Sequence, residues 1–118
     1  MTSEELKERT KAYALSIILF VEHLPNTKAG NVLGKQLLRA ATSVGANYRA
    51  ACKARSRADF ISKVTICEEE ADETIYWLEL IEGAKLEKKE TIALLVQEAK
   101  ELTAIFTASG KTAKHNRQ

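Results

Sequence analysis

Gln36–Lys53, QLLRAATSVGANYRAACK, is the stretch whose reading decides the fold. Set at about 100° per residue, as in an α-helix, it separates into three surfaces. With Leu33 added upstream, Leu37, Ala40, Ala41, Val44, Tyr48 and Ala51 share one apolar face. Lys35, Arg39, Thr42, Ala46, Arg49 and Lys53 share the opposite face, which carries no acid. Gln36, Ser43 and Asn47 line one border, a polar seam expected to make interhelical hydrogen bonds. The many small residues allow neighbouring helices to approach closely. Gly45 weakens a helix, so its place in the middle of one is read as a close contact.

Upstream, a first helix is expected from about Ser3 to Leu24. Ser3 reads as the N-cap, with Glu4 and Glu5 in the first turn, where the helix dipole favours acids. Leu6, Tyr13, Ile17, Phe20 and Leu24 recur at the spacing of a buried face. Leu15, Ile18 and Leu19 widen the apolar surface beyond one stripe, which implies burial on two sides, the second against another subunit. Pro25 ends this helix. Asn26–Gly30 make the turn, and the second helix runs on to about Arg55.

Downstream, Ser56 and Asp59 form a capping-box pattern that opens a third helix, Arg57 to Gly83. Phe60, Val64, Cys67, Ala71, Ile75, Leu78 and Ile81 make its core stripe. Glu70, Glu73 and Trp77 lie on one flank. A large indole beside carboxylates reads as a boundary position, so these three are interface candidates. Gly83 reads as the C-cap. The fourth helix is expected from about Lys88 to Ala108, with Ile92, Leu95, Val96, Ala99, Leu102, Ile105 and Phe106 buried and Gly110 ending it. The fold class is therefore all-α: an antiparallel up-down-up-down four-helix bundle over residues 1–109, followed by a basic, disordered tail at 110–118.

The totals agree with one domain. The chain has 118 residues, 29% charged and 45% hydrophobic, with a single Pro, enough to bury a core without staples. Cys52 and Cys67 match no metal spacing and read as two small core residues in a reducing compartment. The start MTSEELKERTK is not a signal peptide, and the apolar run Ala14–Val21 is too short to span a bilayer. The expected location is cytoplasmic, with no membrane partner.

No enzyme site is legible, and the expectation is a protein without catalytic residues, cofactor or metal. A carboxylate-bridged metal site in such a bundle needs Glu-x-x-His pairs, but Phe20 and Thr112 stand three residues before His23 and His115. Gly30–Gly34 lacks the Lys-Ser/Thr of a phosphate loop. The run Glu68–Glu73 lacks the spacing and glycine of a calcium loop.

Charge distribution carries more than the net +2. Lys28–Lys63 holds eight basic residues against one acid, Asp59, whereas Glu68–Glu82 holds seven acids and no base. Ordinary exposed helices mix signs. The basic face therefore meets either the phosphates of RNA or DNA, through Arg39, Arg49, Lys53, Arg55, Arg57 and Lys63, or the acidic flanks of the third helix, most simply on a neighbouring subunit. A structural or protein-binding module is the alternative function.

The pattern Gln36, Arg39, Ala40, Ser43, Asn47, then Ser56, Phe60, Glu69, Glu73, Trp77 and Leu78, with Leu24-Pro25 before it, resembles the bacterial family first noticed as proteins encoded in intervening sequences of 23S ribosomal RNA. The resemblance runs from about Leu6 to Leu102. Many members continue from the Asn with I-A-E-G, where this chain reads Tyr48-Arg49-Ala50-Ala51. The resemblance implies a bundle that assembles as a homo-pentamer. One branch is similar to the accessory protein of diversity-generating retroelements, which binds a reverse transcriptase and nucleic acid through positive surfaces. Nothing in this chain identifies such a protein partner.

Overall fold

The computed structural model describes residues 1–116. It contains four helices in order: α1 (Ser3–Glu22), α2 (Lys28–Cys52), α3 (Arg57–Gly83) and α4 (Lys89–His115), with no strand among the described residues. Short connections force successive helices to run antiparallel, giving a rod of 51 × 21 × 19 Å.

Local chemistry sets the boundaries. The N-cap of α1 is Thr2 rather than Ser3: its hydroxyl accepts the Glu5 N–H, and Glu5 accepts the Thr2 N–H at 2.8 Å, a complete capping box. Thr27 caps α2 through the Gly30 N–H, so α2 starts within the expected turn. It ends at Cys52, three residues before the expected Arg55. Ser56 caps α3 through the Asp59 N–H, while the Asp59 carboxylate reaches the Arg55 N–H at 3.4 Å.

The α3 terminus departs from expectation. Gly83 is the last helical residue, Ala84 is the C-cap, and the left-handed position is Lys85, at φ 59°. Lys85 N–H bonds the Glu82 carbonyl and Leu86 N–H bonds the Ile81 carbonyl, a Schellman closure that here uses lysine where glycine is usual. Leu86 then packs against the core.

The fourth helix also differs from the reading of the sequence. It passes through Gly110 and continues to His115, so residues 110–115 are helical instead of a disordered tail. At the glycine α4 still lies alongside α3, since a Cβ on Gly110 would stand 4.0 Å from Val64. Arg117 and Gln118, the end of the expected tail, lie outside the described residues.

The core forms where the apolar stripes meet. Ile17, Leu37, Leu78, Ile81, Ile92, Leu102 and Phe106 are fully buried, and the Tyr48 and Phe106 rings meet at 5.7 Å. Leu24, Phe60, Ile75, Leu95, Val96 and Ile105, expected in the core, sit half-buried at its edge, and Cys52, also expected there, is exposed at the last turn of α2 while Cys67 is buried. Two threonines complete the stripes that the apolar residues leave open. Thr10 donates to the Lys7 carbonyl and Thr74 to the Glu70 carbonyl, so their burial leaves no unmet hydroxyl. Gly45 marks a close approach of α1 and α2, since a Cβ there would stand 3.2 Å from Thr10 Oγ1.

The layers are unequal. The α2–α3 and α3–α4 pairs pack closely along their backbones, whereas α1 and α4 approach each other mainly through side chains. Arg9 of α1 makes a two-pronged bond to Glu98, at 2.8 and 2.7 Å, and a third bond to Glu101 at 2.8 Å. Tyr13 donates its hydroxyl to the Leu95 carbonyl at 2.8 Å. These contacts hold the Arg9 guanidinium firmly protonated, and burial raises the Tyr13 phenol well above its ordinary pKa.

Candidate nucleic-acid interface

The three surfaces of α2 emerge as its periodicity requires. The apolar face enters the core. The border that carries Gly34, Ala41 and Gly45 meets α1, and the border with Ala40, Ser43 and Asn47 meets α3. Lys35, Arg39, Ala46, Arg49 and Lys53 line the outer surface of the helix, with Thr42 half-buried among them. Because α1 and α3 flank α2 on both sides, its cations are presented as a row on a broad wall.

Arg39, Arg49 and Lys53 lie in this outer row, and Arg55 and Arg57 are exposed beyond its end, in the turn and at the start of α3. Among the described residues, none of these five side chains makes an ion pair within 4.0 Å. Lys63 differs: it pairs with Asp59 at 3.4 Å, one helical turn away, so part of its charge is answered within α3. Lys7 and Lys11 of α1, which carry no signal in the sequence pattern, line a groove of about 550 Å³ beside Arg49. Lys7 is paired there with Glu4 at 3.0 Å, and Glu8 also stands on that groove. The groove is mixed in sign, unlike the outer row.

On the other side the seam residues and the interface candidates come together. Gln36, Arg39 and Ala40 of α2 face Glu70 and Glu73 of α3 across a small polar cleft of about 180 Å³. Partial burial raises the Glu70 carboxyl above its ordinary pKa, and the neighbouring Glu73 carboxyl raises it further; Ser43 and Arg39 oppose the shift. Trp77 donates its indole N–H to Glu73 at 3.2 Å, with Tyr76 edge-on to it at 5.1 Å. Asn47 does not bridge helices: it turns its amide onto the Ser43 carbonyl of its own helix at 2.9 Å. The seam lies at the edge of the core, within reach of water, which removes the need for an interhelical partner.

The acids of α3 divide between two environments. Glu68 accepts a hydrogen bond from Thr107 of α4. Glu69, Asp72, Glu73 and Glu79 have no cation within 4.0 Å among the described residues. Lys63 apart, the basic residues named from the sequence and these four acids are therefore without ion pairs among the described residues. The ion pairs that the structure does build between helices, Arg9 with Glu98 and Glu101, join residues about ninety positions apart and have no local sequence signal.

No helix among the described residues is long and apolar enough to cross a membrane. Apolar side chains reach the surface on all four helices, with Val32, Tyr76, Leu80 and Leu94 exposed as well as a group on α1: Leu15, Ile18 and Leu19 are 53%, 37% and 64% exposed on the side that faces away from the core.

Fold and surface together define the class: a small all-α bundle whose second helix presents an acid-free cationic row. A family model described as 23S rRNA-intervening sequence protein matches residues 4–108, and the chain belongs to that family. Among solved structures, a protein of unknown function from the S23 ribosomal protein family of Bacteroides thetaiotaomicron is similar, with 35% identity and a TM-score of 0.87 over 94% of this chain and 99% of that one. The comparison with curated proteins gives no match.

Proposed function

We propose that this protein is a non-enzymatic, cytoplasmic, self-assembling bundle that holds nucleic acid by its phosphate backbone. The carrying observation is the row Arg39, Arg49, Lys53, Arg55 and Arg57, on the outer surface and without a carboxylate partner among the described residues. Fixed cations on a rigid helix release counterions when phosphates replace water around them, the principal term in backbone binding. Self-assembly is supported by the outward Leu15, Ile18 and Leu19, since apolar side chains clustered on one helix face favour a covered position. The family resemblance supports a homo-pentamer as the form of that assembly.

Titrating a labelled nucleic acid at several salt concentrations tests this reading. Affinity should fall steeply with salt. Arg49→Glu with Lys53→Glu should weaken binding and reduce the salt slope by about 2, roughly one unit per lost phosphate contact, with helix content unchanged. Absence of binding at low salt overturns the reading.

The second reading rests on Glu69, Asp72, Glu73 and Glu79, which are equally without a cation partner among the described residues. If the basic row meets these acids on a neighbouring subunit or on another protein, the same double variant lowers the assembled mass instead of the nucleic-acid affinity.

A further inference from the structure

The end of the rod where α2 hands over to α3 is also where α4 finishes. Gly110 lies alongside Val64, where an added Cβ would stand 4.0 Å from it, and α4 runs five residues past that level, to His115. Helical geometry therefore carries Lys111 and Lys114 along the first turns of α3, towards the end where Arg57 stands. Both lysines are exposed, and among the described residues neither has a carboxylate within 4.0 Å.

Helix-end electrostatics account for only part of this cluster. Lys114 and His115 fall in the last turn of α4, where a cation offsets the dipole. Lys111 lies before that turn. Arg57 is the first residue of α3 and Arg55 precedes its cap; positive charge there opposes the dipole and weakens the helix. Cations retained at a self-repelling corner point to an external anion.

The aromatic residues narrow the class of anion. Single-stranded nucleic acids are held by bases stacked on exposed aromatic side chains beside the cations. Tyr13, Phe20, Tyr48 and Phe106 are buried here, and Phe60 packs on the core. Tyr76 and Trp77 lie in the opposite half of α3. They stand near the Arg39 end, through the Trp77 bond to Glu73; at the corner of Arg55, Arg57, Lys111 and Lys114 no exposed aromatic side chain stands among the described residues. The outer face of α2, flush between α1 and α3, is also poorly shaped to enter a groove and read base edges.

We propose that the α2–α3 corner and the last turns of α4 form one continuous surface for the backbone of a nucleic-acid duplex, with Lys111 and Lys114 as phosphate contacts. This rests on the phosphate-binding reading of α2 and adds both the ligand's form and a second tract of contacts.

The full-length protein is titrated with a short labelled DNA duplex, with one of its strands alone, and with a second duplex of unrelated sequence. Expected are tighter binding of the duplex than of its strand, by about tenfold or more, and near-equal affinity for the two duplexes, as backbone contacts carry no sequence information. Lys111→Glu with Lys114→Glu should lower the salt slope by about 2, with helix content and assembled mass unchanged. Lys111→Gln with Lys114→Gln should act in the same direction if the acidic pair perturbs folding. If the α4 variants bind as the original does while Arg49→Glu with Lys53→Glu fails, the α4 tract is wrong and the α2 reading stands. Equal affinity for strand and duplex overturns the duplex assignment. No binding by the unaltered protein overturns both readings.

Discussion

Gly30 shows how a single missing side chain fixes the first turn of the bundle. It is buried in the opening turn of α2, and a Cβ there would run into the Pro25 carbonyl oxygen, a backbone atom that cannot rotate away. Gly30→Ala should therefore destabilise the fold by about 1–3 kcal/mol. Gly83, also helical, has open space where a Cβ would stand, with nothing within 4 Å, so Gly83→Ala should stabilise by about 0.5–1 kcal/mol. Thermal melts of the two variants should move in opposite directions. At this scale the sequence is only partly legible. Gly83 signals a helix end correctly, but the left-handed residue is Lys85, because the Schellman bonds and the packing of Leu86 select the position two residues on. Thr10 and Thr74 carry no core signal because polarity hides them. Their hydroxyls are answered by their own helices, which leaves their methyl groups to pack.

Among the elements, α1 shows how much the linear pattern omits. Its inward stripe, Leu6, Tyr13, Ile17 and Phe20, is readable from spacing and is buried. Its attachment to α4 is not readable, because Arg9, Glu98 and Glu101 are ordinary charged residues in their own segments. Their meeting depends on the register of two helices at opposite ends of the chain. Arg9→Ala removes three charge-assisted bonds and leaves two carboxylates facing each other on α4. The expected loss is about 1–2 kcal/mol in a denaturant titration, more than an isolated surface pair contributes. The end of α4 also escapes the sequence: Gly110 reads as a helix stop, but α4 continues through it to His115. The Arg9 tether arises from a tertiary contact that local propensity does not contain.

For the whole molecule, the stripes matter more than the net charge. The separation of an acid-free row on α2 from a base-free flank on α3 is legible in the sequence, because a helix preserves the order of charges along its face. Their lack of ion-pair partners among the described residues is not legible, since that depends on which way each face turns after packing. The outward leucines of α1 belong to the same scale. Leu15→Glu with Leu19→Glu should reduce the assembled mass, measured by sedimentation or light scattering, towards the 13.1 kDa of one chain. Each leucine contributes roughly 1.5–3 kcal/mol if its burial is complete. An unchanged mass would place the subunit contact elsewhere.

The side-chain tether between α1 and α4 has a kinetic consequence. Helices α2, α3 and α4 share long backbone-level contacts, while α1 leans on α2 and reaches α4 through Arg9 and Tyr13. A layer held this way opens without dismantling the other three, so α1 forms the first cooperative unit to exchange its amide hydrogens with solvent. Its outward leucines sit on that same unit. Assembly through them would couple the least protected helix to a neighbouring subunit, and the amides of α1 would then report whether subunits have joined.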